Sequence, residues 1–342
     1  MSKKTAFIII VAVLMIIAGL FYYYFYFTLQ QQPLQIDTNT TNPNYFPFGN
    51  QSGNNTNSSN STSNGTSNNI SGISFIPTLR HITTVPVAGS SIVNLNNKII
   101  IRYIERGTGH VFETSADSLS QNKITNTTIP KIYEAFWNKS GSELILRYLR
   151  DDSDTILSFD AKIKPIVTTS VSTTSLPSSN PSYSLASEIT GGFLPTNIQT
   201  VSINPEKDQL FYTTISLNGA SGFVSALDGT KKVQVFSSPL SEWLSLWPST
   251  NTISLNTKPS GNSPGFLYFV NAQNGKLTKI LGPIDGLTTL TNRDSSSVLY
   301  GVGGIIPSLG IYNIKNNSAK TISLQTLPDK CVWSVYEKTI LY

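Results

Sequence analysis

One hydrophobic phrase returns six times along this chain, and a recurrence of that kind leaves few folds open. The phrase is a proline, an anchor residue, a polar turn and then an apolar run. Its anchors are Ile92, Trp137, Ile203, Trp247, Thr291 and Trp333, at spacings of 45, 66, 44, 44 and 42 residues. The apolar runs that follow include Ile99 to Ile101, Leu144 to Leu146, Leu210 to Tyr212, Val298 to Tyr300 and Thr339 to Tyr342, with a slipped copy at Ile253 and Leu255 after Trp247. Pro86, Pro130, Pro195, Pro239, Pro283 and Pro328 mark the other end, five to eight residues before each anchor. A period near 44 residues with several short strands per unit is the pattern of a β-propeller blade. The spacing therefore predicts an all-β propeller of about six blades.

The internal order of a unit follows from its punctuation. Asp228-Gly229, Asn274-Gly275 and Asn316-Asn317 stand where a third strand turns into a fourth, and such pairs suit a two-residue hairpin because Gly and Asn accept positive φ. The 66-residue interval is one period plus a Ser/Thr/Pro-rich insertion at about 167–187, read as a surface loop after the second unit's third strand. Leu79 to Thr84 occupies the place of a fourth strand without a blade of its own. The last unit offers strands around Trp333 and Leu341 and then stops. A ring must hide its strand edges, so the N-terminal strand is expected to close the last blade. Either that blade lacks its third strand or the chain is a truncation of a longer six- or seven-bladed protein; the apolar strand ending at Tyr342 favours truncation.

Upstream of the repeats the composition changes twice. Residues 1–5 carry Lys3 and Lys4, and Ala6 to Phe27 is an uncharged run of 22 residues. At 1.5 Å per residue that run spans roughly 30 Å of hydrocarbon. With no further Lys or Arg before Arg80, the expected topology is a single-pass membrane anchor with a cytoplasmic N-terminus and an extracytoplasmic domain. Tyr22, Tyr23, Tyr24 and Tyr26 suit the outer interface, and no small-residue cleavage site interrupts them. Residues 28–74 are Asn, Ser, Thr, Gln and Gly with almost no charge, and are too polar to bury a core. They read as a tether reaching on the order of 40 Å. The propeller domain is then 75–342.

Charge excludes one partner class. The net charge is +5, and removing Lys3, Lys4 and Asp37 leaves 22 basic and 18 acidic residues in the repeats, with no basic cluster. Nucleic acid is therefore not expected as a partner. Cys331 is the lone cysteine, so no internal disulfide can form; that is compatible with any compartment and with a buried thiol two places from Trp333.

Residues with catalytic chemistry are sparse. His81 and His110 are the two histidines, too few for a zinc site or a positioned proton relay. No nucleophile elbow, H-E-x-x-H or P-loop occurs. Arg102, Glu105, Arg106 and Glu113 flank a hairpin around His110 and read as cross-strand ion pairs. Asp151-Asp152-Ser153-Asp154 lacks the ligand spacing and glycine turn that calcium needs. No catalytic, cofactor or metal residue is assigned. One candidate ligand site comes from repeat geometry. Connections into the inner strands and loops between second and third strands share one face around the central channel. Glu134, Glu242, Asp285 and Asp329 follow the unit prolines on that face. Either they form an acidic mouth for a cation or a peptide's basic group, or they are ordinary turn residues, with Lys131 and Lys330 weakening the field. Trp137, Trp247 and Trp333 are anchors and read as interblade packing; Trp243 falls off the anchor and is the candidate tryptophan for ligand contact.

At the repeat level residues 79–342 resemble the WD40-like and TolB-type propellers of bacterial envelopes. The resemblance is carried by phrases such as Ile203-Asn204-Pro205-Glu206-Lys207-Asp208-Gln209-Leu210-Phe211-Tyr212, a strand, an S-P-D-G-type turn and a strand. No unit has the full turn motif, and the Gly-His and Trp-Asp pairs of WD40 repeats are missing. Arg102 to Val111 is similar to membrane-anchored propeller proteins of candidate-phylum bacteria, which implies an envelope setting and no particular activity. Two function classes follow: a binding or scaffolding module using the channel mouth for a protein or peptide, or the substrate-gating propeller of a hydrolase whose catalytic domain is not in this chain.

Overall fold

A computed structural model describes residues 79–150, 154–165, 187–261, 263–304, 307–335, 337 and 339–342. The run 6–27, the tether and most of the insertion lie outside them. Among the described residues no helix is long and apolar enough to cross a membrane.

Five four-stranded sheets follow one another along the chain. The first holds Val87–Leu95 (β1), Lys98–Glu105 (β2), Val111–Ser115 (β3) and Gln121–Lys123 (β4). The second holds Ile132–Trp137 (β5), Glu143–Leu149 (β6), Ile156–Pro165 (β7) and Ser187–Phe193 (β8). The third holds Ile198–Ile203 (β9), Gln209–Ser216 (β10), Gly219–Ala226 (β11) and Val233–Ser238 (β12). The fourth holds Trp243–Ser249 (β13), Thr252–Thr257 (β14), Pro264–Asn271 (β15) and Leu277–Asp285 (β16). The fifth holds Thr288–Thr291 (β17), Ser297–Val302 (β18), Ser308–Asn313 (β19) and Ser318–Ile322 (β20). Each sheet is an antiparallel meander, and its first strand adjoins the first strand of the next sheet. This is a β-propeller of five blades, and the extra residues of the long interval fall between β7 and β8, as the spacing predicts.

The blades are held by what lies between them. Five apolar clusters are found among the described residues, and each spans two consecutive units. Ile104 and Val111 of the first blade meet Ile132, Leu144 and Leu146 of the second. Ile145 meets Leu194, Val201, Leu210 and Tyr212. Phe211 and Phe236 meet Trp243, Trp247, Ile253 and Leu255. Leu267 meets Leu287 and Val298, and Leu299 and Leu309 meet Trp333. A sheet of alternating residues has two faces to cover, and here each is covered by its neighbour. Trp137, Trp247 and Trp333 are interblade packing, as expected.

The polar turn after the anchor has a fixed chemistry. In three blades the residue following the anchor is a buried asparagine: Asn138, Asn204 and Asn292. Its side-chain oxygen accepts two backbone N–H groups of the turn, from Ser142 and Glu143 at 3.2 Å each, from Glu206 and Lys207 at 2.9 and 3.1 Å, and from Ser296 and Ser297 at 3.0 Å each. Its amide is spent outward in two of them. Asn138 donates to Asp208 of the third blade at 3.1 Å, and Asn204 donates to the Thr250 carbonyl of the fourth at 3.0 Å. One residue type thus sets the turn and ties it to the next blade.

Three expectations are corrected. Among the described residues the sixth unit shows a single antiparallel bridge, Trp333 with Leu341, after a short 3-10 turn at Pro328–Lys330, so complete blades there number five rather than about six. Residues 79–84 are not a strand closing the last blade. Arg80 donates to the carbonyls of Ser115, at 2.7 Å, and Ser118, and Gln121 donates to the Ile82 carbonyl, all on the first blade. A guanidinium satisfied by two turn carbonyls outweighs the weak edge pairing that a short polar strand offers. The third-to-fourth turns lie where expected but are wider than two residues: left-handed backbone occurs at Gly229 and Lys231 in the third blade, at Gly275 in the fourth and at Asn317 in the fifth. The turn with both central residues at positive φ is Asn96-Asn97, between β1 and β2. Cys331 is half-buried against the cluster that holds Trp333, its thiol 3.7 Å from the Leu327 carbonyl.

Asn204→Ala strands two turn N–H groups and the Thr250 carbonyl, and is expected to cost about 2–3 kcal/mol of unfolding free energy in urea. Lys139→Ala breaks only the exposed pair with Glu206 and is expected to cost under about 1 kcal/mol. Equal losses for the two would contradict the bracing role.

Candidate functional site

Four strands is an even number, so a meander returns to the end from which it started. Every connection between blades therefore lies at one end of the propeller, together with the loops joining second to third strands. The four acids singled out by the repeat all belong to that end: Glu134 near the start of β5, Glu242 before β13, Asp285 at the end of β16 and Asp329 in the turn before Trp333. They divide into two kinds.

Glu134 and Glu242 are already neutralised. Glu134 accepts from Arg147 Nη1 at 2.9 Å, and the arginine side chain is only 6% exposed. Arg147 spends Nη2 on the Ile198 carbonyl of the third blade at 3.1 Å and lies 5.3 Å from the Tyr133 ring centroid. Burial pushes the Tyr133 phenol up to about 12, with the neighbouring arginine opposing. This is a structural pair, because a buried guanidinium without its carboxylate would be strongly unfavourable. Glu242 meets Lys258 at 2.7 Å, and both side chains are about half exposed, so solvent screening leaves that pair weak. Asp285 and Asp329 are exposed, and neither is ion-paired among the described residues.

Trp243 is not at the surface. It is 4% exposed, its indole N–H donates to the Leu240 carbonyl at 3.0 Å, and its ring meets Phe236 and Tyr268 edge to face. The residue packs the third blade on the fourth from a position four residues before the anchor tryptophan, Trp247, on the same strand. The Arg102 and Glu113 pair forms across strands as expected, at 3.2 Å, and Arg102 also donates to the Gly141 carbonyl of the second blade at 2.8 Å. His110 Nε2 lies 3.3 Å from the Thr128 hydroxyl. Residues 151–153 lie outside the described residues.

One polar cluster is invisible in the repeat. On the second blade Glu143 Oε1 lies 3.1 Å from Lys162 Nζ, which lies 3.4 Å from Asp160 Oδ2, and the Asp160 side chain is 3% exposed. These residues share a face with Ile145, which is packed against the third blade, so they sit in the seam between the two. Burial raises the Glu143 carboxyl above the carboxylate range, helped by its hydrogen bond with Asp160 and opposed by Lys162. Lys162 is raised in turn, chiefly by its bond to Glu143. The alternation Ser158, Asp160, Lys162 reads in sequence as a solvent face. Among the described residues no group of three or more His, Cys, Asp or Glu side chains is arranged to hold a metal ion.

No family model matches the chain, and no curated protein matches it. Among solved structures it is similar to TolB from Acinetobacter baumannii, at 9% identity and a TM-score of 0.44, over 67% of this chain and 54% of that one. It is similar to an oligogalacturonate lyase in complex with manganese, at 12% identity and a TM-score of 0.48, over 68% and 63%. It is also similar to a Mycobacterium tuberculosis puromycin-hydrolyzing peptidase, at 11% identity and a TM-score of 0.46, over 70% and 40%. The chain spans less than two thirds of the length of each of the three.

A carboxyl raised by folding favours the native state while protonated, and that contribution is lost as pH rises through its raised pKa. Relative to Glu143→Gln, whose amide stays neutral and can still donate to Asp160, the wild type should lose melting temperature as pH rises above the ordinary glutamate range. A difference between the two proteins that does not change with pH would show that Glu143 ionises freely in the seam.

Proposed function

We propose that this chain is a membrane-anchored, extracytoplasmic binding or scaffolding module, whose ligand-facing surface is the propeller end that carries the connections between blades. The observation that carries the reading is a conjunction along one chain. Five blades braced against one another follow a 22-residue uncharged run with Lys3 and Lys4 on its N-terminal side and a long polar stretch on the other. Packed blades with loops gathered at one end offer a surface for binding. Of the four acids at that end, Asp285 and Asp329 are exposed and not ion-paired among the described residues, so a cation or a Lys/Arg-bearing peptide is the ligand class the charge favours. Glu134 does not serve, since its carboxylate is committed to Arg147.

Topology is tested with a single engineered thiol. In a Cys331→Ala background, Leu217→Cys places a cysteine at a fully exposed turn of the third blade. Intact cells treated with a membrane-impermeant maleimide should label it, and the protein should stay in the membrane fraction after alkaline extraction. Protection of the thiol until the cells are lysed, or release of the protein on extraction, would sink the reading. For the ligand face, Asp285→Asn with Asp329→Asn should reduce capture on immobilised Lys/Arg peptides at least about tenfold at low salt, with the loss shrinking as salt rises. Unchanged capture would move the binding surface elsewhere.

A further inference from the structure

The first blade differs from the others in having one face that no blade covers. In an antiparallel sheet, residues directly opposite one another share a face. Ile92 stands opposite Ile101, Ile101 opposite Thr114, and Thr114 opposite Gln121, while Asn94 stands opposite Ile99. Val93 belongs to the other face and packs at Gly141 of the second blade. The Ile92 face is therefore the outward one. Its outer half is covered by the chain entering the domain, through Arg80 on Ser115, Ser118 and Thr114, and through Ile82 on Gln121. Its inner half is bare. Ile92 is 64% exposed and Ile99 43%, and the adjoining rim adds Leu79, Leu95 and Leu119, all exposed. They are neighbours in space: Ala116 donates to the Ile99 carbonyl at 2.9 Å, and Arg80 grips the turn from Ser115 to Ser118. Apolar side chains grouped on a sheet face in this way mark a surface that something covers.

The chain itself supplies a matching occupant. From Gly49 to Asn69 there is no apolar side chain; Ile70, Ile73, Phe75 and Ile76 then follow within seven residues, just before Leu79. Pro77 biases Ile76 toward extended backbone. Extended chain advances about 3.3 Å per residue, so Phe75 reaches about 13 Å from Leu79, enough to cross from the β3 to β4 turn over two strands to β1. We infer that residues 73–78 lie back across the bare half of the first blade, seating Phe75 and Ile76 against Ile92, Ile99 and Leu119. This segment continues the interface that Arg80 and Ile82 begin, and it acts as the cap for the open end of the blade row. The inference is independent of what the acidic end binds.

Hydrogen exchange on the full chain tests it. Amides of residues 73–76 and Thr78 should exchange at least about tenfold more slowly than those of residues 54–69, and Ile92→Ser with Ile99→Ser should erase that difference while β5 to β16 keep their protection. Phe75→Ser, which alters no described residue, should raise the fluorescence of an apolar dye. Three results would overturn the inference: exchange in 73–78 as fast as in 54–69, protection there that survives the double serine variant, or no rise in dye binding with Phe75→Ser. Protection that appears only at concentrations where the chain sediments as a dimer also overturns it, because a second copy would then be the cover.

Discussion

A four-stranded sheet whose side chains alternate has two faces, and neither can be hidden within the sheet. That constraint governs this molecule. Every apolar cluster among the described residues lies between two consecutive units, so no blade has a private core. Burial of this kind is non-directional and would tolerate sliding of one blade over the next. The buried asparagine after the anchor removes that freedom. Asn138 and Asn204 each fix a turn with two backbone hydrogen bonds and then reach to the following blade. A buried amide left without these partners would be costly, so register between blades is set by polar satisfaction while stability comes from apolar area.

The same division explains how charge is used. Where a charge faces a neighbouring blade it is paired and hydrogen-bonded: Arg147 with Glu134 and the Ile198 carbonyl, Arg102 with Glu113 and the Gly141 carbonyl, and Lys162 between Glu143 and Asp160. Where a charge faces water at the connecting loops it is left open, as at Asp285 and Asp329, or screened, as at Glu242. An acidic residue in this fold is therefore to be judged by whether the next blade covers it. Glu134 and Asp285 occupy similar places relative to their unit prolines, yet the first is part of the interblade brace and the second belongs to the surface.

Trp243 makes the same point for aromatic residues. Its offset from the anchor suggests a surface position because the repeat already supplies Trp247 for packing. The strand that carries both is Trp243–Ser249, and alternation places 243 and 247 on the same face of it. With two residues per repeat of the pleat, an offset of four returns a side chain to the side it left.

The recurrence of a hydrophobic phrase at a near-constant interval was enough, by itself, to determine an all-β row of meandering blades, the order of strands within each, the place of the insertion and the role of the anchor tryptophans. Those properties depend on local periodicity and turn chemistry, both of which are written residue by residue. Tertiary structure alone decided that the N-terminal stretch grips the first blade, that complete blades number five, and that the polar alternation Ser158, Asp160, Lys162 is a buried seam. Each of these turns on which surface meets which across tens or hundreds of residues. A polar face reads the same in sequence whether water or a neighbouring sheet lies against it, and the free energy that separates the two belongs to the pair of surfaces.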